Sequence, residues 1–315
     1  MKLLIIQTPE YDFCVATLIE GLSLYTLVND DVEFMCSEKS NYAQENWTQN
    51  ENEIISYGKS ADYIILTSNN RVREYLIEQI DPEHKKTIYL DGEDVSYFKK
   101  NPVDFIFYFK RELMLTETMV NENVFCFPFA AELRYFSEVN FDKLWESKDI
   151  DLICSFGPHD NTKPWRQEIE NTLSSMKLLN AHIGQIYGNN IDVIDTGNRN
   201  HRNYYELLKK SRIAIDAYGA FGCQSGRLYE SLANGCCLIT QSNRIQMPYN
   251  FVDTEDVLEF KNMDELRGNV EYLLKSPEVM KKMARSGFEH LCKHHTTLAR
   301  AQYFLKVIKG EYDTE

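Results

Sequence analysis

The stretch Gly226–Thr240, GRLYESLANGCCLIT, reads as a short helix, a tight turn at Gly235 and a buried strand. A helix that turns at once into an apolar strand is half of a parallel α/β unit. Similar units flank it. Strands are expected at Asp151–Phe156, Ile183–Tyr187, Val193–Ile194, Ile213–Ala217, Cys237–Thr240 and Val257–Glu259. Helices are expected near Pro164–Leu179, Tyr204–Lys210, Leu228–Ala233 and Met263–Leu274, after Ser276-Pro277, and over Thr296–Ile308.

The front of the chain repeats this alternation. Its strands are expected at Lys2–Gln7, Val32–Cys36, Tyr63–Thr67, Thr87–Leu90, Phe105–Lys110 and Val124–Phe127, with helices near Cys14–Val28 and Asn70–Ile80. Strands separated by helices predict a parallel, doubly wound sheet in each half: an α/β protein of two Rossmann-like domains. The polar segment KLWESKD, Lys143–Asp149, places the boundary so that residues 1–148 and 149–295 form the domains and 296–315 a C-terminal helix.

The 315 residues suffice for two cores. No run approaches a membrane span, and the N-terminus is too short in apolar residues for a signal peptide. Eight cysteines without a CxxC pair suit a reducing compartment, so a cytoplasmic location is expected. Residues 1–148 hold 14 Lys and Arg against 26 Asp and Glu, while residues 149–315 hold 20 against 22. An acidic front half repels phosphate backbones and disfavours nucleic acid as a partner.

Open parallel sheets bind ligands beyond the carboxyl ends of their strands. In the back half this selects the loops beginning at Gly157, Tyr218 and Gln241. The second, YGAFGCQSG, carries three glycines in nine residues and leads into a helix whose first turn holds Arg227. A cation there opposes the helix dipole, which an anion alongside would explain. Arg166 holds the same position after the Gly157 loop, so the two arginines would clamp a diphosphate. Glu230, one turn beyond Arg227, can accept hydrogen bonds from the vicinal hydroxyls of a ribose. The same two residues also fit a surface i,i+3 ion pair worth a few tenths of a kcal/mol.

At this point GRLYESLANGCCLIT resembles the nucleotide-sugar-binding segment of GT-B glycosyltransferases. YYELLKKSRIAIDAYG is similar to the helix and strand before it, and SPEVMKKMARSGFEHLCKHHTTLARAQYFLKVI to their closing segment, with His295-Thr296 and Arg300 in place. The branch that fits is the bacterial CgeB-like one, to which LDGEDVSYF and DFIFYFKREL in the front half are also similar. The resemblance covers about residues 150–310. It implies two Rossmann-like domains facing across a cleft, the rear one holding the sugar nucleotide, the front one the acceptor, and the last helix crossing back to the front. Glu230 would bind ribose. The backbone of Gly222–Arg227, with Gln224, Ser225 and Gly226, would meet the diphosphate, and Arg166 near Gly157 would be the second phosphate contact.

The expected activity is metal-independent glycosyl transfer, with retention, from a UDP- or GDP-linked sugar to a glycan, protein or small-molecule acceptor, without any other cofactor. Arginines and helix starts would stabilise the leaving diphosphate. His159-Asp160 and His294-His295 lack metal-ligand spacing. Many retaining members carry two glutamates eight residues apart; Gly222 stands eight before Glu230, which leaves the stereochemistry open. An inverting enzyme would need a front-domain base, for which Asp91 and Asp94 are the candidates, although DGED also reads as an acidic turn. Lys110, Arg111 and Glu112 end another strand and are expected to shape the acceptor pocket. A dinucleotide-dependent oxidoreductase is disfavoured, because neither QTPEYDF nor GPHDN contains G-x-G-x-x-G. A binding protein that keeps the nucleotide pocket without turnover is the remaining alternative.

Overall fold

The computed structural model describes residues 1–7, 12–39, 46–68, 75–116, 121–157, 163–176, 178, 180–185 and 199–312. The chain divides into two compact units. The front unit comprises Met1–Glu132, Arg244–Pro248 and His295–Glu315, the rear unit Leu133–Asn243 and Tyr249–His294.

The front unit runs β1 (Lys2–Ile6), α1 (Phe13–Thr26), β2 (Glu33–Cys36), α2 (Glu51–Ser60), β3 (Tyr63–Thr67), α3 (Tyr75–Ile80), β4 (Thr87–Asp91), β5 (Phe107–Lys110) and β6 (Val124–Cys126). The six strands form one parallel sheet in the order β2-β1-β3-β4-β5-β6. Leu3 through Ile6 are all buried, because a parallel sheet is covered on both faces and needs continuous apolar strands. Asp12 starts α1: its Oδ1 accepts the backbone N–H of Cys14 at 2.8 Å and of Val15 at 3.2 Å.

The rear unit runs α4 (Phe141–Glu146), β7 (Ile150–Phe156), α5 (Pro164–Ser175), β8 (Ala181–Gln185), α6 (Arg199–Lys210), β9 (Ser211–Ile215), α7 (Arg227–Ala233), β10 (Cys237–Gln241), β11 (Leu258–Phe260), α8 (Met263–Lys275) and α9 (Pro277–His294). Its parallel sheet has the order β11-β10-β9-β7-β8. Strand order reverses between β7 and β9, the position where such sheets open a crevice at their carboxyl edge. The last helix, α10 (Thr297–Ile308), lies in the front unit against α1. A Cβ added at Gly21 of α1 would sit 2.1 Å from the Thr297 carbonyl oxygen, so only glycine permits this approach.

The units part at Glu132, not at residue 148. The segment expected as a linker is core to the rear unit. Phe141 and Leu144 of α4 are buried, and the Phe141 ring lies 5.9 Å from that of Phe288. Lys148 is buried as well. Its Nζ donates to the carbonyls of Lys209 at 3.1 Å, Ser211 at 2.8 Å and Asn234 at 2.8 Å, tying α4 to α6, β9 and the end of α7. Gly235 closes α7 with φ of 64°, a backbone that side chains disfavour, and packs on Leu144. Helix α2 has no counterpart among the expected elements, and β9 begins two residues before the expected Ile213. The expected strand Val193–Ile194, the end of Ile183–Tyr187 and the pair His159-Asp160 lie outside the described residues. All eight cysteines are free, seven of them buried. No described helix is long and apolar enough to cross a membrane.

Candidate functional site

At the carboxyl edge of the rear sheet, β7 ends in Phe156 and β9 is followed by Asp216. Arg166 comes from the first turn of α5 and Arg227 opens α7. Their guanidinium carbons lie 5.3 Å and 5.1 Å from the centroid of the one Phe156 ring. Two cations thus lie over one aromatic ring at the switch point. Arg166 is 6% exposed and donates from Nη2 to the Tyr218 carbonyl at 3.3 Å, which also accepts Trp165 Nε1 at 3.1 Å. Arg166 therefore braces the start of the glycine-rich loop from beneath. A Cβ built at Gly157 would lie 3.9 Å from Arg166 Nη1, which places the end of β7 beside the same guanidinium. The Arg227 side chain is 14% exposed, with Nη1 3.8 Å from Asp216 Oδ1. Its Nε and Nη1 receive no hydrogen-bond partner among the described residues.

Asp216 is buried, and burial pushes its carboxyl up to about 6. Arg227, the Ala217 backbone, Arg166 and Ser225 oppose that rise without cancelling it. The loop between β9 and α7 is held at both ends. Tyr218 N–H donates to Gln241 Oε1 at 2.8 Å and Arg227 N–H to Ser225 Oγ at 3.2 Å. Gly222 adopts φ of 82°, and Gln224 Oε1 accepts the Tyr229 hydroxyl at 2.9 Å. Helix α7 spans seven residues and has no side-chain cap at Gly226. So short a helix has a weak dipole, and the positive charge here rests on the guanidinium groups more than on the helix start.

Arg227 is mostly buried and pairs with Asp216, so the surface-pair reading of Arg227 and Glu230 gives way. Glu230 instead accepts two phenols from α6, Tyr204 OH on Oε2 at 2.9 Å and Tyr205 OH on Oε1 at 3.2 Å.

The front-half candidates separate differently. Asp91, a candidate base for an inverting enzyme, has a fully buried and internally satisfied side chain. It accepts Tyr108 OH at 2.7 Å and the Glu93 N–H at 3.3 Å, and Lys110 Nζ lies 3.4 Å away. Lys110, expected near an acceptor, is equally buried and donates to the carbonyls of Val95 at 2.9 Å and Tyr97 at 3.0 Å. This pair fastens the turn after β4. Arg111 is buried, contacts Asp94, lies 3.0 Å from Glu112 Oε1 and stacks 4.6 Å over Phe129; Glu112 is buried too. Asp94 alone of the five keeps a largely exposed side chain. The acid that sequence reasoning passed over is Asp12. Burial raises its carboxyl above the usual range against the pull of two backbone N–H groups and Arg111, and its Oδ2 accepts no hydrogen bond from the described residues. The signal was an acidic N-cap at the start of the helix that follows the first strand.

Residues 166–306 match the family model described as glycosyl transferase-like. The whole chain is similar in fold to a glycosyltransferase from Rickettsia africae, at 11% identity, TM-score 0.66 and 100% and 99% coverage of the two chains. The chain has the two-domain GT-B fold. Anabaena HepE in complex with UDP-glucose superposes on this chain with TM-score 0.61 at 9% identity, covering 98% and 100%. An alpha-glucosyltransferase in complex with UDP-glucose and DNA does so with TM-score 0.59 at 10% identity, covering 98% and 99%. No curated protein matches the chain by sequence. Of the residues singled out in its sequence, Arg166, Arg227 and Gly157 converge on Phe156, and Gly222, Gln224, Ser225, Gly226 and Glu230 continue from that point along the loop and α7. Asp216, Phe156, Tyr204 and Tyr205 complete the cluster and were not foreseen. Asp216 had a readable signal, an acid at the end of a strand in IAIDAYG.

Proposed function

We propose that the protein moves a sugar from a UDP- or GDP-linked donor to an acceptor hydroxyl, with retention and without a metal. The observation that carries this reading is the pair of arginines on Phe156 at the rear switch point. There Arg227 and the N–H groups of Gly222–Gly226 would hold the diphosphate, and Arg166 would add charge from beneath the loop. Glu230 would take the ribose, one helical turn away. As the sugar–phosphate bond breaks, charge grows on the diphosphate, and fixed guanidinium groups in a poorly solvated site stabilise it without reorganising. Burial of Asp91 favours retention, which does not call for that base. The acceptor belongs with the front unit, whose acidic balance supports a glycan, protein or small molecule over a nucleic acid. Location in the cytoplasm fits a donor of this class.

The test is release of UDP or GDP from a panel of UDP-, GDP-, ADP- and CMP-sugars, with and without candidate acceptors. Turnover of one donor, stimulated by an acceptor and retained after chelation, supports the proposal. Binding of a donor without turnover would favour a nucleotide-sugar-binding protein of the same fold.

A further inference from the structure

The loop at the carboxyl end of β4, residues 92–100, is pinned by groups buried beneath it. Lys110 and Asp91 are both fully enclosed and 3.4 Å apart. Lys110 Nζ donates to the carbonyls of Val95 at 2.9 Å and Tyr97 at 3.0 Å. Asp91 accepts the Glu93 N–H on Oδ1 at 3.3 Å and the Lys99 N–H on Oδ2 at 3.4 Å. The Gly92 N–H donates to Ser68 Oγ at 3.2 Å, and a Cβ at Gly92 would lie 2.5 Å from the Asp12 carboxylate. Taking an ammonium and a carboxylate out of water is costly, and their attraction offsets it only when the remaining donors and acceptors are satisfied. Here the backbone of an exposed loop satisfies them, so the loop is fixed at its start, middle and end.

This rigid backbone carries its large side chains outward. Tyr97 is 60% exposed, and its neighbour Ser96 is exposed as well. The Asp94 side chain is largely exposed, yet Arg111 from beneath contacts its Oδ1 and so sets the direction of the carboxylate. Lys99 Nζ lies 5.3 Å from the centroid of the Tyr97 ring and 3.8 Å from Glu93, which braces the ring from one side. A tyrosine this exposed adds little to the core, and a firmly held loop at the carboxyl edge of a parallel sheet is where such a fold places recognition.

The chemistry on display is a flat ring, an aimed carboxylate and a hydroxyl. A pyranose matches it: the C–H face of the sugar covers the ring, and its hydroxyls donate to the carboxylate. The loop contains no strand for a peptide to extend. An anionic acceptor would meet the acidic balance of the front half.

We propose that residues 92–100 form the acceptor subsite and that the acceptor is a saccharide, its ring on Tyr97 and a hydroxyl on Asp94. This rests on the transfer reading above and names the acceptor class within it. Lys110, Asp91 and Arg111 are positioning residues, which touch no substrate and fix the loop that does.

Saturation-transfer NMR of the full chain tests this, with glucose, galactose, mannose, N-acetylglucosamine, cellobiose and chitobiose as probes and a serine- and threonine-rich peptide as the competing class. Calorimetry with UDP and GDP runs on the same samples. The wild type is expected to bind a sugar of this panel. Tyr97→Ala is expected to weaken it by about tenfold, the loss of one aromatic anchor, with nucleotide affinity and Tm unchanged, and Tyr97→Trp to restore it. Both variants keep the backbone carbonyl that Lys110 holds, so the loop keeps its anchor. No sugar bound by the wild type, contact with the peptide alone, or sugar binding that Tyr97→Ala leaves intact overturns the inference. A sugar held at Tyr97 by a chain that binds neither UDP nor GDP overturns the transfer reading, and the acceptor role with it. Nucleotide binding without any sugar overturns the saccharide subsite alone.

Discussion

Arg227 Nη1 stands 3.8 Å from Asp216 Oδ1, yet burial outweighs that attraction and leaves the Asp216 carboxyl near 6. Its folded value lies above the unfolded one, about 3.9. The group therefore stabilises the fold most below about pH 4, and stability falls as pH rises through about 6. A donor diphosphate that draws Arg227 away removes the main partner of the ionised carboxylate and favours its protonation. Affinity for UDP-glucose, whose esterified phosphates stay ionised throughout, is expected to drop as pH rises through about 6. Titrations across that window check it, and Asp216→Asn should flatten the slope.

Removing either charged donor contact should weaken nucleotide binding. Arg227→Ala and Glu230→Ala are each expected to lose roughly 1.5–3 kcal/mol, about tenfold to a hundredfold in Kd. Glu230→Ala that folds and binds UDP and GDP unchanged would remove the ribose contact from the proposal.

Asp91 should behave as a fold residue. Asp91→Ala leaves the buried Lys110 ammonium without its carboxylate, a loss on the order of 3–5 kcal/mol. The expected outcome is a marked fall in Tm, with donor turnover per folded molecule retained. A stable Asp91→Ala protein that has lost turnover would restore the base reading.

Two glycines carry packing predictions. Gly21→Ala drives a methyl against the Thr297 carbonyl and should cost about 1–3 kcal/mol or more through displacement of α10. Gly235→Ala imposes a positive φ on a side-chain-bearing residue and should cost about 1 kcal/mol. Urea unfolding of each variant against the wild type measures both.

The alternation of strands and helices was readable because strands covered on both faces must be continuously apolar, as β1, β3 and β10 are. Helix α2 was not readable: ENEIISYGKS buries only Ile54 and Gly58, too little for a helical stripe. The arginine pair was legible because glycine-rich loops and strand ends mark a switch point locally. The clamp on Glu230 was not, since Tyr204 and Tyr205 lie 26 and 25 residues upstream and meet it only through packing of α6 on α7. The choice between a base and an acidic turn at Asp91 stayed open for a related reason. An acid at a strand end looks the same in sequence whether it faces solvent or an interior lysine.

The three carbonyls gathered by Lys148 bear on how this chain can be cut and recombined. A rear fragment started at Asp149, or a chimera joined there, would discard the peg that pins two strand–helix junctions and bare the groove that Phe141 and Leu144 fill. A graft exchanging donor halves between such proteins should cross over near Leu133, where the severed chain takes its own plug along.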